Sequence, residues 1–489
     1  MYIIQVASEM TPVAKVGGLA DVVYGLTREL ERQGHAVEVI LPKYDCMKYD
    51  QVLNLQPIYN DLWVPWFGGS IHCTVFSGLV HHVKCLFIDP HGDHHFFNRG
   101  NFYGGGEEYY RWAFFCRAAL EFMLKTNRRP EVIHCHDWQT GLLSVMLYEI
   151  YAHLGMGNQR VCYTVHNFKH QGHGPADVLN AAGLGRHDYF YSPQRLRDHS
   201  KPKDINFMKG GIVYSNYCCT VSPHHAWEAQ NTGFGFGLNS VLHQHHGKFG
   251  GILNGLDYEQ WNPGTDWALP AKYTVDNFQD KFKNKKALRE RFMLRDDFKP
   301  LFGYVGRLDD QKGLHLIKHA LYWALRNNAQ FALLGTGQPN VNGEFGSLKR
   351  QLNDNPDCHL EIGYDEGLAH LMYAGLDYLV VPSVFEPCGL AQMIALRYGT
   401  PPIVRYTGGL ADTVFDWDHD GRPREERNGF VFQHDNAAAL ESALTRANGL
   451  FYSPDNYYRQ LAIQGMKCDF SWREPAKHYV NVYEHIRHK

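Results

Sequence analysis

Hydrophobic and polar positions at the start of the chain alternate between strand and helix patterns. Residues 3–7 and 36–41 are apolar runs of strand length. Further short strands are predicted at 131–134 and 161–164 in the same half. This alternation indicates a parallel sheet covered by helices. The helix after the first strand carries its apolar side chains on one face and ends near Gly34: Leu19, Val22, Val23, Leu26 and Leu30.

The second half of the chain repeats this scheme. Strands are predicted at 301–305, 331–334, 378–382 and 402–405, and a helix carries Leu314, Ile317, Leu321 and Leu325 on one face. Two domains of roughly 200–250 residues fit the 489 residues better than one core. We place the crossing point near residues 250–255, where glycines allow a hinge.

Composition narrows the class of protein. A net charge of −3 gives no general attraction to nucleic acid or to an anionic membrane. No apolar run reaches the ~18 residues that span a bilayer, and the N-terminus lacks a signal-peptide pattern, so we expect a cytoplasmic protein. The eleven scattered cysteines favour neither a disulfide framework nor zinc, and the clustered histidines are interpreted as loop residues, so no metal is expected.

Candidate chemistry lies where predicted strands lead into helices. Ligands of parallel α/β sheets bind at the carboxyl ends of the strands, and helix N-termini favour phosphate. Lys15 precedes the glycines of one such helix, and it is either a phosphate-binding cation or an ordinary exposed lysine. Arg307 and Lys312 flank the loop after a strand. They either converge on one diphosphate or belong to a solvated charged loop.

Carboxylate and aromatic side chains follow other strands. Glu386 follows a buried strand and precedes a helix, which suits a sugar phosphate or sugar nucleotide, although helix capping is the alternative. Asp137, Trp138 and His166 also lie at strand ends. Trp138 is either a platform for a sugar ring or a core residue. We find no Walker A, nucleophile-elbow or dinucleotide-binding fingerprint, which disfavours a kinase, a hydrolase or a nicotinamide enzyme.

The pentapeptide GGLAD occurs twice, at 17–21 and 408–412. Each copy follows a predicted strand or its loop and opens a helix. The repeat is either a coincidence or a mark of two similar strand–helix units that aim helix N-termini at one cleft.

Seven motifs in order resemble the bacterial glycogen synthases and plant starch synthases. They are KVGGLAD, HCHDWQT, TVHN, ILNGLD, GRLDDQKG, FEPCGL and TGGLADTV, and the resemblance runs from Lys15 to Trp472. It is strongest toward the cyanobacterial enzymes and starch synthase classes three and four. Two residues depart from the family pattern. Ala391 stands after CGL where the family usually has threonine, and His170 stands before Gln171 where an aromatic residue is common. Neither departure removes a charge or a sugar-binding carboxylate.

The resemblance implies an α/β protein of the GT-B fold, with two Rossmann-like domains facing across a deep cleft. The N-terminal, acceptor-side domain would span residues 1–250 and be completed by a C-terminal helix at 472–489. The nucleotide-sugar domain would span 251–471. The implied reaction transfers glucose from ADP-glucose to the non-reducing end of an α-1,4-glucan, with retention at the anomeric carbon. No cofactor or metal and no nucleic-acid or membrane partner is implied.

The resemblance also implies roles for individual residues. The implied catalytic set is Lys15, His166, Arg307, Lys312 and Glu386, in which the three cations hold the diphosphate and the other two contact the donor glucose. Further donor contacts would be Gly18, Asp21, Asn254, Gly389 and Leu390, with Tyr364 stacked on adenine. The implied acceptor side is Tyr103, Asp137 and Trp138.

Three alternatives remain open. A glucan phosphorylase shares this fold, but it needs a pyridoxal-phosphate lysine and a longer chain. A non-catalytic glucan-binding or priming protein would be expected to lose the charged residues named above, which this chain keeps. Another GT-B glucosyltransferase with a small acceptor is the third.

Overall fold

The structure, a computed structural model, describes all 489 residues and divides them into two compact units. Unit 1 comprises Met1–Gly255 and Trp472–Lys489, and unit 2 comprises Leu256–Ser471. The first crossing between units follows Gly255, whereas the predicted domain boundary follows residue 250. No helix is long and apolar enough to cross a membrane.

The strands alternate with helices through most of the chain. Unit 1 contains β1 (Tyr2–Val6), β2 (Ala36–Pro42), β3 (Leu53–Trp66), β4 (Gly69–Val80), β5 (Val83–Pro90), β6 (Val132–His136), β7 (Arg160–Val165), β8 (His173–Pro175), β9 (Asp204–Asn206), β10 (Tyr217–Thr220) and β11 (Phe249–Gly251). Unit 2 contains β12 (Leu301–Leu308), β13 (Gln330–Gly337), β14 (Cys358–Ile362), β15 (Tyr378–Val381), β16 (Pro402–Arg405) and β17 (Phe430–Phe432).

The helices cover the sheets. Unit 1 contains α1 (Gly18–Arg32), α2 (Glu108–Lys125), α3 (Gly141–Glu149), α4 (Val178–Ala181), α5 (His187–Phe190), α6 (Phe207–Tyr214), α7 (Pro223–Asn231) and α8 (Asn239–Gln244). Unit 2 contains α9 (Lys281–Phe292), α10 (Leu314–Arg326), α11 (Pro339–Leu352), α12 (Glu366–Gly375), α13 (Ala391–Arg397), α14 (Gly408–Thr413), α15 (Ala437–Phe451) and α16 (Tyr457–Lys467). The last helix, α17 (Arg473–Arg487), belongs to unit 1.

The sheet of unit 1 has nine strands in the order β11-β10-β7-β6-β1-β2-β5-β4-β3. Strands β11 to β5 pair in parallel, and β4 and β3 add an antiparallel edge. The parallel strands β1, β6 and β7 end side by side, so the residues that follow β6 and β7 lie at one edge. This is where open α/β sheets carry their ligand sites.

Helix α17 packs against the N-terminal segment of unit 1, from which it is distant in sequence. Its residues Tyr479, Tyr483 and Ile486 are buried in one cluster with the β1 and α1 side chains. Trp472, which precedes α17, lies against Gly25 of α1, where an added Cβ would meet the indole Nε1 at 2.0 Å. Only glycine permits this approach, and it lets the C-terminal helix complete the first core.

The sheet of unit 2 is entirely parallel, in the order β14-β13-β12-β15-β16-β17. Strand β12 is central, and β15 is its neighbour, with Phe302 opposite Tyr378. Both faces are covered by helices, which explains why the strands read as continuous apolar runs. Each unit therefore has the predicted Rossmann-like α/β character.

The predicted strands at 36–41, 301–305 and 402–405 are confirmed, with ends shifted by a few residues. The antiparallel edge formed by β3 and β4 was not predicted. Along β3 only Leu62, Val64 and Trp66 are fully buried, and Pro57 and Pro65 interrupt the pattern. The buried positions alternate only over the last five residues, and the first nine are exposed or half-buried, so the strand as a whole carries a weak signal.

Candidate active site

The centre of the site in unit 2 is an ion pair between Lys312 and Glu386. The Lys312 Nζ lies 2.5 Å from Glu386 Oε2, and both side chains are largely buried. Lys312 ends the turn after β12, and Glu386 follows β15, the strand beside β12. Because neighbouring parallel strands end at one edge of the sheet, these residues meet although they are far apart in sequence.

The Glu386 segment is held from several sides. Ser383 Oγ donates to Glu386 Oε2 at 2.9 Å, and Gly409 N donates to the Glu386 carbonyl oxygen at 3.0 Å. Both of these side-chain contacts, from Lys312 and Ser383, fall on Oε2, so Oε1 is the oxygen better placed to accept from a ligand. A Cβ on Gly408, whose φ is +45°, would lie 1.9 Å from the same carbonyl oxygen. The second GGLAD copy thus supports Glu386 by close backbone approach.

Arg307 lies at the end of β12 and is open to solvent. Its side chain is 64% exposed and pairs with Asp309, Nη2 to Oδ2, at 3.3 Å. Tyr304 donates its hydroxyl to the Arg307 carbonyl at 2.5 Å. The second oxygen of Asp309, Oδ1, is buried without a hydrogen-bond partner. The exposed guanidinium can exchange Asp309 for an anion, and its ion pair is with Asp309 rather than with Glu386.

Two further predicted donor residues form the turn between Glu386 and α13. Gly389 has a φ of +75°, and a Cβ there would lie 2.4 Å from Gln392 Oε1. Gln392 donates to the carbonyl oxygens of Cys388 and Gly389. Leu390 precedes the helix at its N-cap and is partly exposed. The turn is therefore fixed by glycine geometry and by one buried amide.

Tyr364 follows β14 at the same end of the unit 2 sheet, and it is 81% exposed. An aromatic ring with this exposure offers a face on which a planar ligand can stack. Its predicted partner, adenine, is planar and can stack on this ring.

In unit 1 the first GGLAD copy opens α1. Lys15 Nζ lies 2.7 Å from Asp21 Oδ1, and both side chains are partly exposed. Gly18 is the first residue of α1. The three predicted residues therefore lie at one helix N-terminus, where the partial positive charge favours an anion.

Glu9 is buried beneath this loop. Its Oε2 accepts hydrogen bonds from Val16 N at 2.6 Å and Gly17 N at 3.1 Å, and its Oε1 accepts from the Tyr103 hydroxyl at 2.6 Å. Burial raises the pKa of the Glu9 carboxyl. The Tyr103 hydroxyl also lies 2.8 Å from Ser8 Oγ. Tyr103 is thus joined to the Lys15 loop through one carboxylate.

Asp137 directly follows β6 in a strained backbone conformation, with a φ of +56° and a ψ of −178°. Its Oδ1 accepts from His166 N at 2.7 Å, which joins the ends of β6 and β7. Burial raises the pKa of Asp137 to about 7. A left-handed aspartate at a sheet edge is the kind of strain that accumulates at functional sites.

His166 follows β7 and is partly exposed. Its Nε2 lies 3.1 Å from His136 Nδ1, and His136 is fully buried. Burial lowers the pKa of both imidazoles well below the ordinary range. Both rings are therefore neutral at physiological pH.

Trp138 lies partly within the unit 1 core. Its ring packs edge-to-face on Trp112 and Phe207, with centroids 6.3 Å and 5.9 Å away. A Cβ on Gly172 would lie 2.0 Å from the indole. This packing favours the core interpretation, and the sugar-platform role stays a prediction.

Asn254 ends the last segment of unit 1 before the crossing. It is 5% exposed, and its Oδ1 is buried without a hydrogen-bond partner. An unsatisfied buried acceptor costs free energy unless a ligand donates to it. No group of three or more His, Cys, Asp or Glu side chains in the chain is arranged to hold a metal ion.

Sequence reasoning missed Glu9 and Ser383. Glu9 follows β1, and a carboxylate at a strand end was an available signal. Ser383 follows β15 three residues before Glu386, but its role depends on a turn that no local pattern specifies.

Comparison with known proteins agrees with this arrangement. Residues 2–244 match the starch synthase catalytic domain family, and residues 286–448 match the glycosyl transferases group 1 family. Glycogen synthase 1 of Synechococcus sp. (strain JA-3-3Ab) is 57% identical, with 100% of both chains covered. Glycogen synthase 2 of Methylococcus capsulatus is 56% identical over 99% of this chain and 100% of its own length.

Solved structures give the same result. The catalytic domain of Starch Synthase IV from Arabidopsis thaliana, bound to ADP and acarbose, has a TM-score of 0.96 and 42% identity. The alignment covers 100% of this chain and 99% of that one. A sucrose-phosphate synthase from Thermosynechococcus elongatus, 18% identical with a TM-score of 0.62, shares the fold. The chain therefore has the GT-B fold and belongs to the glycogen synthase and starch synthase family of glucosyltransferases.

Proposed function

We propose that this protein elongates an α-1,4-glucan by transferring glucose from ADP-glucose to the non-reducing end, with retention at the anomeric carbon. The observation that carries the proposal is the Lys312–Glu386 pair at the carboxyl ends of β12 and β15, in which Lys312 and Ser383 both contact Glu386 Oε2. A cation and a carboxylate side by side suit a substrate that joins a phosphate to a sugar. A nucleotide-activated glucose has this character.

The cations act on the charge that develops as the bond between sugar and diphosphate breaks. Negative charge grows on the departing ADP, and fixed positive groups stabilise it more strongly than they stabilise the resting donor. We assign this role to Lys312 and Arg307 in unit 2 and to Lys15 in unit 1. Lys312 is held in place by Glu386, so little reorganisation is needed when charge appears.

The transfer step keeps the configuration of the anomeric carbon. The 4-hydroxyl oxygen of the acceptor forms the new bond to that carbon on the face from which ADP leaves. The carbon–oxygen bond to the β-phosphate breaks, and the acceptor proton passes to the departing phosphate oxygen. Glu386 and His166 contact the donor glucose here, and neither acts as a covalent nucleophile.

Remaining residues supply recognition. Tyr364 stacks on adenine, in keeping with its 81% exposure. The buried Asn254 Oδ1 accepts from a donor hydroxyl. Gly18, Asp21, Gly389 and Leu390 line the donor, and Tyr103, Asp137 and Trp138 lie on the acceptor side. The solved relative bound to ADP and acarbose, a nucleotide together with a sugar-like ligand, supports this pair of substrates.

The experiment is a coupled assay of both products. Purified protein is incubated with ADP-[¹⁴C]glucose and glycogen, and ADP release and radiolabel in precipitated glucan are measured together. The proposal expects equal molar amounts of ADP and incorporated glucose. A β-amylase digest that releases the label as maltose checks the α-1,4 linkage.

The non-catalytic alternative gives a distinct result. A glucan-binding scaffold would retain glycogen in a pull-down but release no ADP. A donor hydrolase would release ADP without labelled glucan. Either outcome would overturn the proposed reaction while leaving the family membership intact.

A further inference from the structure

A row of hydrogen bonds crosses the core of unit 1 from helix α1 to His166. Thr27 of α1 contacts Gln5 of β1, with Oγ1 and Nε2 2.6 Å apart. Gln5 Oε1 lies 2.8 Å from His136 Nε2, and His136 Nδ1 lies 3.1 Å from His166 Nε2. Thr27, Gln5 and His136 are each 0% exposed. The row thus ends at His166, its one partly exposed member.

The row begins at a group that can only accept. Thr27 Oγ1 lies 2.7 Å from the carbonyl oxygen of Val23, four residues earlier in α1. The single hydroxyl proton of Thr27 therefore points to that carbonyl. The Thr27 oxygen can then only accept from Gln5, so the Gln5 amide nitrogen faces Thr27 and the amide oxygen faces His136.

The donor and acceptor of each further hydrogen bond are fixed by the bond before it. Since Gln5 Oε1 has no proton, His136 must carry its proton on Nε2. A neutral His136 then has a bare Nδ1, which accepts from His166. His166 must therefore carry its proton on Nε2. Its other nitrogen, Nδ1, is left with a lone pair that can accept a hydrogen bond.

Nothing in the row supplies an alternative proton. Burial keeps both imidazoles neutral, so neither ring becomes a donor at both nitrogens. In a row with the opposite donor–acceptor direction, the Thr27 hydroxyl would donate to Gln5 instead of to the Val23 carbonyl. The buried Gln5 amide would also have to turn over. The reversed row keeps its other hydrogen bonds with donor and acceptor exchanged but lacks the 2.7 Å Thr27–Val23 bond, so reversal costs one fully buried hydrogen bond.

We propose that Thr27, Gln5 and His136 are positioning residues that hold His166 in the Nε2–H form, so that His166 Nδ1 accepts a hydrogen bond from one hydroxyl of the donor glucose. This inference rests on the proposed function. An unprotonated nitrogen accepts a hydrogen bond from a hydroxyl. It forms no hydrogen bond with a fluorine, because fluorine has no proton to donate. The row therefore makes His166 selective for a hydroxyl at that position of the sugar.

The kinetic test uses ADP-glucose analogues in which the 3-, 4- or 6-hydroxyl is replaced by fluorine. ADP release is measured as kcat/KM for the wild-type protein and for Gln5→Leu, which breaks the row while conserving most of the side-chain volume. With the wild-type protein, we expect kcat/KM for one analogue to be at least about tenfold lower than for ADP-glucose. This is the scale of one unpaired hydrogen-bonding group. In Gln5→Leu the loss for that analogue should fall to about threefold or less, because both imidazoles are then able to exchange tautomers.

The matched control is Gln159→Leu, at another buried glutamine of unit 1. This variant should keep the wild-type discrimination. An unchanged fluorine penalty in folded Gln5→Leu, or an equal fall in both variants, would overturn the positioning role. If no analogue is disfavoured by the wild type while ADP-glucose itself is turned over, the inference fails and the proposed function stands.

A second measurement requires neither turnover nor a substitution of Thr27, Gln5 or His136. In protein labelled with ¹⁵N-histidine, ring-nitrogen chemical shifts distinguish protonated from bare nitrogens, and comparison with His166→Gln assigns the His166 signals. We expect a protonated Nε2 and a bare Nδ1 in the wild type. A protonated His166 Nδ1 would overturn the inference whatever the enzyme assay shows.

Discussion

Lys312 and Glu386 are 74 residues apart in the chain, yet the Lys312 Nζ lies 2.5 Å from the Glu386 Oε2. The contact follows from topology, since each residue comes after one of two neighbouring parallel strands, β12 and β15. Ser383 donates to the same oxygen, so two side chains hold one oxygen of the Glu386 carboxylate in place.

Lys312→Ala and Arg307→Ala should each lower kcat by about 10²–10³, roughly 3–4 kcal/mol, with donor KM changed far less. The reason is that both cations act on charge that is largest in the transition state. The double variant should lose less than the sum of the two losses, because both act on one phosphate. Steady-state kinetics with ADP-glucose measures these effects, and circular dichroism checks folding.

The control for this pair is Lys318→Ala, at a lysine that forms an ion pair with Glu344 on the surface of unit 2. Its effect should stay within the range of a surface change, under about 0.5 kcal/mol. Near-wild-type turnover in folded Lys312→Ala would refute the phosphate role of this loop.

Tyr364→Ala should mainly raise the KM for the donor, with a smaller effect on kcat. Stacking on adenine is similar in the ground state and the transition state, so its loss appears as weaker binding. The tyrosine is 81% exposed, so stability should hardly change. Tyr364→Phe, which keeps the ring, should behave like the wild type. A loss confined to kcat would argue against stacking.

Trp138→Ala should weaken use of the glucan more than use of the donor, and it should also destabilise unit 1. The indole packs on Trp112, Phe207 and Gly172, and its removal leaves a cavity. Kinetics at varied glycogen and thermal melting separate the two effects. A fall in melting temperature with unchanged glucan KM would assign Trp138 to the core alone.

Asp137→Asn should change how stability depends on pH. The pKa of Asp137 is raised to about 7 in the folded chain, against about 3.9 unfolded. Between these values the folded chain holds a proton that the unfolded chain has lost, so the Asp137 contribution to stability is present at low pH and is lost as pH rises toward 7.

The variant lacks this titration, so its stability relative to the wild type should increase as pH rises from about 5 to about 7 and then level off. Urea unfolding across this range measures the difference, and histidine effects common to both proteins cancel. A difference that does not vary with pH would contradict the raised pKa.

Much of the fold could be predicted because local patterns specify it. The periodic apolar face of α1 and the continuous apolar run of β15 are local signals that tertiary packing did not override. The same holds for Lys312 and Glu386, since strand ends in a parallel sheet fall at one edge. The parallel topology therefore accounts for the contact between these two residues.

The rest depends on contacts that no local pattern contains. Glu9 bonds to Val16 N and Gly17 N through a loop that bends back on itself. The orientation of Gln5 and the tautomer of His166 follow from three-dimensional hydrogen bonds between a helix and three strands. Sequence alone supplies the residue types at these positions, but register and side-chain rotamers decide what each atom meets.

The most direct test of the account is glucose incorporation into glycogen by the purified protein, with ADP-glucose and UDP-glucose compared at matched concentrations. The account predicts incorporation, with kcat/KM at least about tenfold higher for ADP-glucose, because an exposed Tyr364 stacks better on the larger adenine ring. Equal kcat/KM for the two donors would contradict the assigned adenine contact. No incorporation from either donor by folded protein would contradict the proposed reaction itself.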